Sequence, residues 1–156
     1  MATREEIIAG LEFTVAQAKR TTAAFAADEW DTKRHCGWTP KEIYAHLAAV
    51  SGMVPAFSQG MMAAPEDRDM TAGMDINQMN EQAVSAMRGM TSEQVLAAFE
   101  ANYAKLIDFV KALPDEQLNV KRSFGPVAAP VSDVLANVVV LHGIHHVYEA
   151  NDRLGV

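Results

Sequence analysis

Apolar residues recur every three or four positions along most of this chain, and the stretches that carry the recurrence open with recognisable caps. Thr3 and Glu6 form a capping box, and the helix they start is expected to run to about residue 27 with Ile8, Leu11, Val15, Ala18 and Thr22 inward. A second helix opens at WTPKE, where Thr39 caps, Pro40 takes the first helical position and Glu42 closes the box. Its inner stripe reads Ile43, His46, Val50, Met53 and Phe57, and Pro55 is expected to end or kink it. Residues 58–74 read as a loop or a broken short helix. A third helix is expected from Asp75 to Met87, ended by Gly89. Thr91 and Gln94 open a fourth, with Leu96, Phe99, Tyr103, Leu106 or Ile107, and Val110 inward, stopping before Pro114. KRSFGPVAAP (121–130) reads as a turn-rich connection, and Ser132 is expected to cap a last helix that runs to about Asp152. No strand-like alternation and no internal repeat appears. The expected fold is all-α: an up-down four-helix bundle with an additional short helix, one domain over residues 1–156.

Composition narrows what such a bundle does. Hydrophobic residues make up 49% of the chain, enough to bury a core. A formal charge of −7 excludes the clustered basic surface that nucleic acid or an anionic membrane requires. No apolar run reaches the ~18 residues that span a bilayer, and MATREEIIAG lacks the charge and apolar pattern of a signal peptide. The single cysteine, Cys36, has no partner for an internal disulfide. The expected setting is the cytoplasm, with a small molecule as substrate.

Three of the five histidines fall in LHGIHHVYEAN, residues 141–151. On an α-helix His142 and His146 lie about 40° apart, and Glu149 shares their face. Val131, Leu135, Val138 and Val139 set the buried stripe, which His142 continues. His145 and His146 flank it about equally, so helical geometry does not choose between them. His46 stands on the buried stripe of the second helix. Burying several imidazoles without partners is costly, and a shared metal ion removes that cost. The competing readings are a hydrogen-bonded polar core and a solvated face.

The spacing of Trp38, Pro40 and His46 at a helix start, with His-x-x-x-His (His142, His146) on the last helix, resembles the DinB/YfiT-like superfamily. Its thiol-dependent branch, which includes mycothiol-dependent maleylpyruvate isomerase, is also similar. The resemblance spans essentially the whole chain. It implies a four-helix bundle that holds a divalent metal on His46, His142 and His146, and it is what favours His146 over His145. It also implies a homodimer. His35 falls outside the motif and is expected at the surface.

Three neutral imidazoles leave a bound ion its full charge and an open position, the arrangement of a catalytic rather than a closed structural site. Zinc and nickel head the candidates, and copper and iron also suit imidazole. Activating water would give hydrolysis; deprotonating a low-molecular-weight thiol would give transfer or isomerisation. Glu149 is a candidate base or an orienting partner for a histidine. Trp38, Asn77 and Asn80 are candidates to bind the thiol cofactor. Eight of the nine methionines lie between Met53 and Met90, as a pliable wall or as ordinary core filling. The rival function is a non-catalytic metal- or ligand-binding bundle of the stress-response kind.

Overall fold

The computed structural model describes residues 1–124 and 127–152. Helix α1 (Arg4–Thr22) begins at the expected box: Glu6 N donates to Thr3 Oγ1 at 3.1 Å, and Thr3 N donates to the Glu6 carboxylate at 2.8 Å. It stops at Thr22, shorter than expected. The Thr22 hydroxyl donates back to the Ala18 carbonyl, and the chain then turns so that Phe25 meets Trp30 edge-on at 5.2 Å. Burial of that aromatic pair takes the place of another helical turn, and a short 3-10 helix follows at Ala27–Asp31. The buried face of α1 is Ile7, Leu11, Thr14 and Ala18, so Ile8 and Val15 sit beside the seam rather than on it.

Helix α2 (Pro40–Ala63) is not ended by Pro55 but continues past it to Ala63. Pro55 supplies no N–H, but Val54, Ser58 and Met61 on either side are buried against the bundle, and that packing offsets the missing bond. Met53, expected inside, is exposed. Helix α3 (Ile76–Met87) is capped by the Asp75 side chain, and α4 (Ser92–Ala112) by the Thr91/Gln94 box. A four-residue helix, α5 (Asp115–Leu118), follows.

The connection after α5 is not only turns. Strands β1 (Lys121–Phe124) and β2 (Val127–Pro130) pair antiparallel in the register Lys121↔Pro130 to Phe124↔Val127, and residues 125–126 lie outside the described residues. Tertiary bonds hold what local propensity does not: Met70 N donates to Ser123 O, Arg122 Nε to Ala64 O, and Val131 N to Val120 O. Pro130, not Ser132, occupies the cap of the next helix, and the buried Ser132 hydroxyl has no hydrogen-bond partner among the described residues.

The last helix has three parts on one unbroken right-handed helical backbone: α6 (Val131–Leu135), a π-helical stretch (Ala136–Leu141) and α7 (His142–Asn151). Helices α1 and α2 each pack against both α4 and this last helix, which gives a four-helix bundle in the cyclic order α1, α4, α2, last helix. Small residues allow close approach at two levels. A Cβ on Gly10 of α1 would collide with Val140, and one on Gly143 would lie 2.5 Å from Tyr103 Oη and 3.1 Å from Thr14 Cγ2. Among the described residues no helix is long and apolar enough to cross a membrane.

Candidate metal centre

His46 lies two turns into α2 and is 2% exposed. His142 and His146 stand on successive turns of α7, half-buried, on the side that meets α2. The three rings point their Nε2 atoms at one another. His46 Nε2 is 3.2 Å from His142 Nε2, which is 3.0 Å from His146 Nε2. Around an ion with bonds of ~2.0–2.1 Å, edges of this length are close to those of a tetrahedral face. His145 points outward, with its side chain 65% exposed.

Protons alone do not satisfy this arrangement. His146 Nδ1 is 2.5 Å from Glu149 Oε2, so the ring donates there and its Nε2 carries a lone pair. A proton on His142 Nε2 can serve one neighbour and not both. Burial, together with the mutual repulsion of the rings as cations, pushes the His46 pKa down to about 3 and the His142 pKa down to about 4. Burial also lowers the pKa of His146, against the opposing pull of Glu149. All three rings are therefore neutral near pH 7, and each can present its Nε2 lone pair to one shared point. The donor set fits a divalent ion of the zinc or nickel type. The remaining ring nitrogens are unequal: His146 Nδ1 has its carboxylate, whereas His46 Nδ1 and His142 Nδ1 are buried without a hydrogen-bond partner among the described residues.

Glu149 sits one turn beyond His146 and reaches both of its histidine neighbours, with Oε1 3.3 Å from His145 Nε2. Trp38 covers the cluster from the loop before α2. Its ring stacks on His146 (centroids 6.2 Å apart, planes at 18°) and meets His46 edge-on at 5.2 Å. Asn77 is exposed and Asn80 half-buried on α3, and among the described residues no hydrogen bond or ring contact joins either to the histidines.

One contributor escaped the sequence reading. Arg34 is buried, and its Nε donates to the Ala150 carbonyl at 2.9 Å in the last turn of α7. Its backbone N donates to Trp38 O at 2.8 Å, closing a turn in which Gly37 takes φ +88°. The loop that carries Trp38 is thereby fastened to the helix that carries His142 and His146. Nothing in DTKRHCGW separates Arg34 from its neighbour Lys33. The signal is a tertiary one.

Solved structures share this architecture. Mycothiol-dependent maleylpyruvate isomerase superposes with a TM-score of 0.76 over 97% of this chain at 12% identity, and the chain spans 62% of that protein's length. YfiT from Bacillus subtilis, described as a probable metal-dependent hydrolase with an unusual four-helix bundle topology, gives 0.68 over 97% of this chain and 87% of its own at 18% identity. A Streptococcus pneumoniae protein gives 0.70 over 96% and 89% at 14% identity. At these identities the likeness is one of fold. No curated protein matches the sequence. Residues 13–147, most of the chain, match the family described as "Mycothiol maleylpyruvate isomerase N-terminal domain". With the bundle and the sequence profile in agreement, this chain belongs to that family.

Proposed function

We propose that this protein is a metal-dependent enzyme that acts on a small molecule by thiol-dependent transfer or isomerisation, with a divalent ion held by His46, His142 and His146. The observation that carries the reading is the convergence of three neutral Nε2 donors within 3.0–3.2 Å steps, with His146 oriented from behind by a carboxylate. Such an ion supplies Lewis acidity that makes a thiol or a water a stronger acid. The thiol route is preferred over hydrolysis because the family is that of a mycothiol-dependent enzyme's N-terminal domain.

The chain's own residues have separable tasks. Glu149 holds the His146 proton on Nδ1 and so keeps Nε2 free. It also contacts His145 at the surface, which gives the site a carboxylate within reach of solvent. Trp38 shields one side of the cluster from water and presents an aromatic edge to whatever enters. Asn77 and Asn80 take no part in this reading.

Elemental analysis of protein purified without nickel resin or chelator tests it. About one equivalent of a divalent ion per chain, lost in His142→Ala, is expected, and maleylpyruvate-type isomerisation with a panel of low-molecular-weight thiols is then assayed. Equal metal content in the parent and the variant would overturn the site. Metal without turnover on any thiol or hydrolysable ester would leave a metal-binding bundle and overturn the enzyme.

A further inference from the structure

The buried seam of the last helix changes phase between its two ends. At its start the seam is Val131, Leu135 and Val139, all 1% exposed or less. A continuous α-helix repeats a face every seven residues, so Leu135 and Val139 would be followed inward by positions 142 and 146. The residues that are buried instead are Gly143, Val147 and Ala150. The seam has slipped by one residue, and the change of phase falls within the π-helical stretch Ala136–Leu141, after Val139. A π-turn holds more residues than an α-turn, so one residue is absorbed without breaking the backbone. The hydrogen bonding shows the same shift: the His142 N–H donates to Asn137 O, five residues back, where an α-helix would use Val138.

The slip decides where the histidines stand. Without it His142 would occupy the place that Gly143 takes, where even a Cβ lies 2.5 Å from Tyr103 Oη and 3.1 Å from Thr14 Cγ2. An imidazole does not fit there. With the slip, glycine takes the tight position, while His142 and His146 turn to the side facing His46 on α2. The surroundings favour the displaced backbone. Tyr103, fully buried on α4, donates its hydroxyl to the Val139 carbonyl inside the stretch at 3.4 Å.

We propose that the π-helical stretch Ala136–Leu141 is the positioning device of this centre, absorbing one residue so that His142 and His146 face His46 while Gly143 takes the seam. This rests on the metal reading of the three histidines. The assignment goes to backbone length, not to any side chain in the stretch.

Cobalt(II) is the probe, because its visible absorption reports both occupancy and coordination by nitrogen. Three proteins are titrated: the parent, a variant with Asn137 deleted, and Leu141→Ala, which alters an exposed side chain of the stretch at unchanged length. Deleting Asn137 removes the absorbed residue, so a regular α-helix then joins the two phases with Gly143 still in the seam and both histidines still facing His46. The expected result is a tetrahedral cobalt spectrum at parental affinity in all three proteins. A folded deletion variant that binds cobalt about a hundredfold more weakly overturns the proposal while leaving the metal reading intact. No cobalt uptake by the parent overturns both. Should the deletion not fold, scalar coupling across hydrogen bonds in the parent decides. Coupling of the His142 amide to the Asn137 carbonyl supports the device, and coupling to Val138 overturns it.

Discussion

His146 is the one ring of the cluster with a partner at each nitrogen: Glu149 at Nδ1 and the other histidines at Nε2. Removing the carboxylate's charge while keeping its shape, in Glu149→Gln, is therefore expected to weaken zinc binding by roughly 10–100-fold. Competition with a chromogenic chelator measures it, and an unchanged affinity would show that Glu149 does not orient the ring. The depressed pKa values give a sign for pH dependence. Unfolded histidines titrate near ~6.5, whereas folded His46 and His142 hold off protonation until about 3 and about 4. Between those limits the unfolded chain binds more protons, so stability of the metal-free protein is full above ~6.5 and falls as pH drops below it. Denaturant midpoints at pH 7.5, 6.5 and 5.5, above the carboxylate range, should decline in the last step. A flat profile would mean that the rings are solvated. Reading these residues from sequence went as far as placing His46 on one buried stripe and two histidines on another. On an uninterrupted α-helix His145 and His146 are equivalent. The phase slip of the last helix separates them, and it accompanies a close approach of Gly143 to Tyr103 that no local pattern encodes.

Elements whose ends are fixed by local chemistry were legible. The boxes at Thr3, Thr39 and Thr91 each need only residues within four positions of one another, and all three are made. Elements held by distant partners were not. The strand pair at 121–130 depends on Met70 and Ala64, and the early end of α1 depends on Trp30. The close approach of Gly143 to Thr14 on α1 and to the Tyr103 side chain reaching across from α4 gives a prediction at this scale. Gly143→Ala places a methyl group against the hydroxyl of the buried Tyr103, and should cost about 1–3 kcal/mol. Combining it with Tyr103→Phe, which removes the nearest atom, should recover part of that loss in a denaturation double-mutant cycle. Strict additivity of the two would place the strain elsewhere.

Across the whole molecule the cluster joins chain segments 96 residues apart, His46 on α2 and His142 on α7. An ion bound there couples two of the four bundle helices, and it binds only where they are assembled. At a hundredfold excess over its dissociation constant it adds ~2.7 kcal/mol, which for a chain of this size is roughly 5–10 °C in Tm. Differential scanning calorimetry with and without zinc checks the shift, and His46→Ala should abolish it. The bundle class could be read from helix count and caps. The order of neighbours could not, because it is set by the long connections that separate α1 from α2 and α4 from the last helix, not by helix periodicity.

The indole of Trp38, stacked on one imidazole and edge-on to another, makes the centre optically self-reporting. Nickel or copper beside it would drain its excited state, while zinc, with a filled d shell, would leave most of the emission in place. Trp30, packed against Phe25 and Tyr44, provides a second emitter with a different environment. A Trp30→Phe protein would then carry a single lamp at its centre, and the identity of the arriving ion could be read, in real time and without label, from how far that lamp dims.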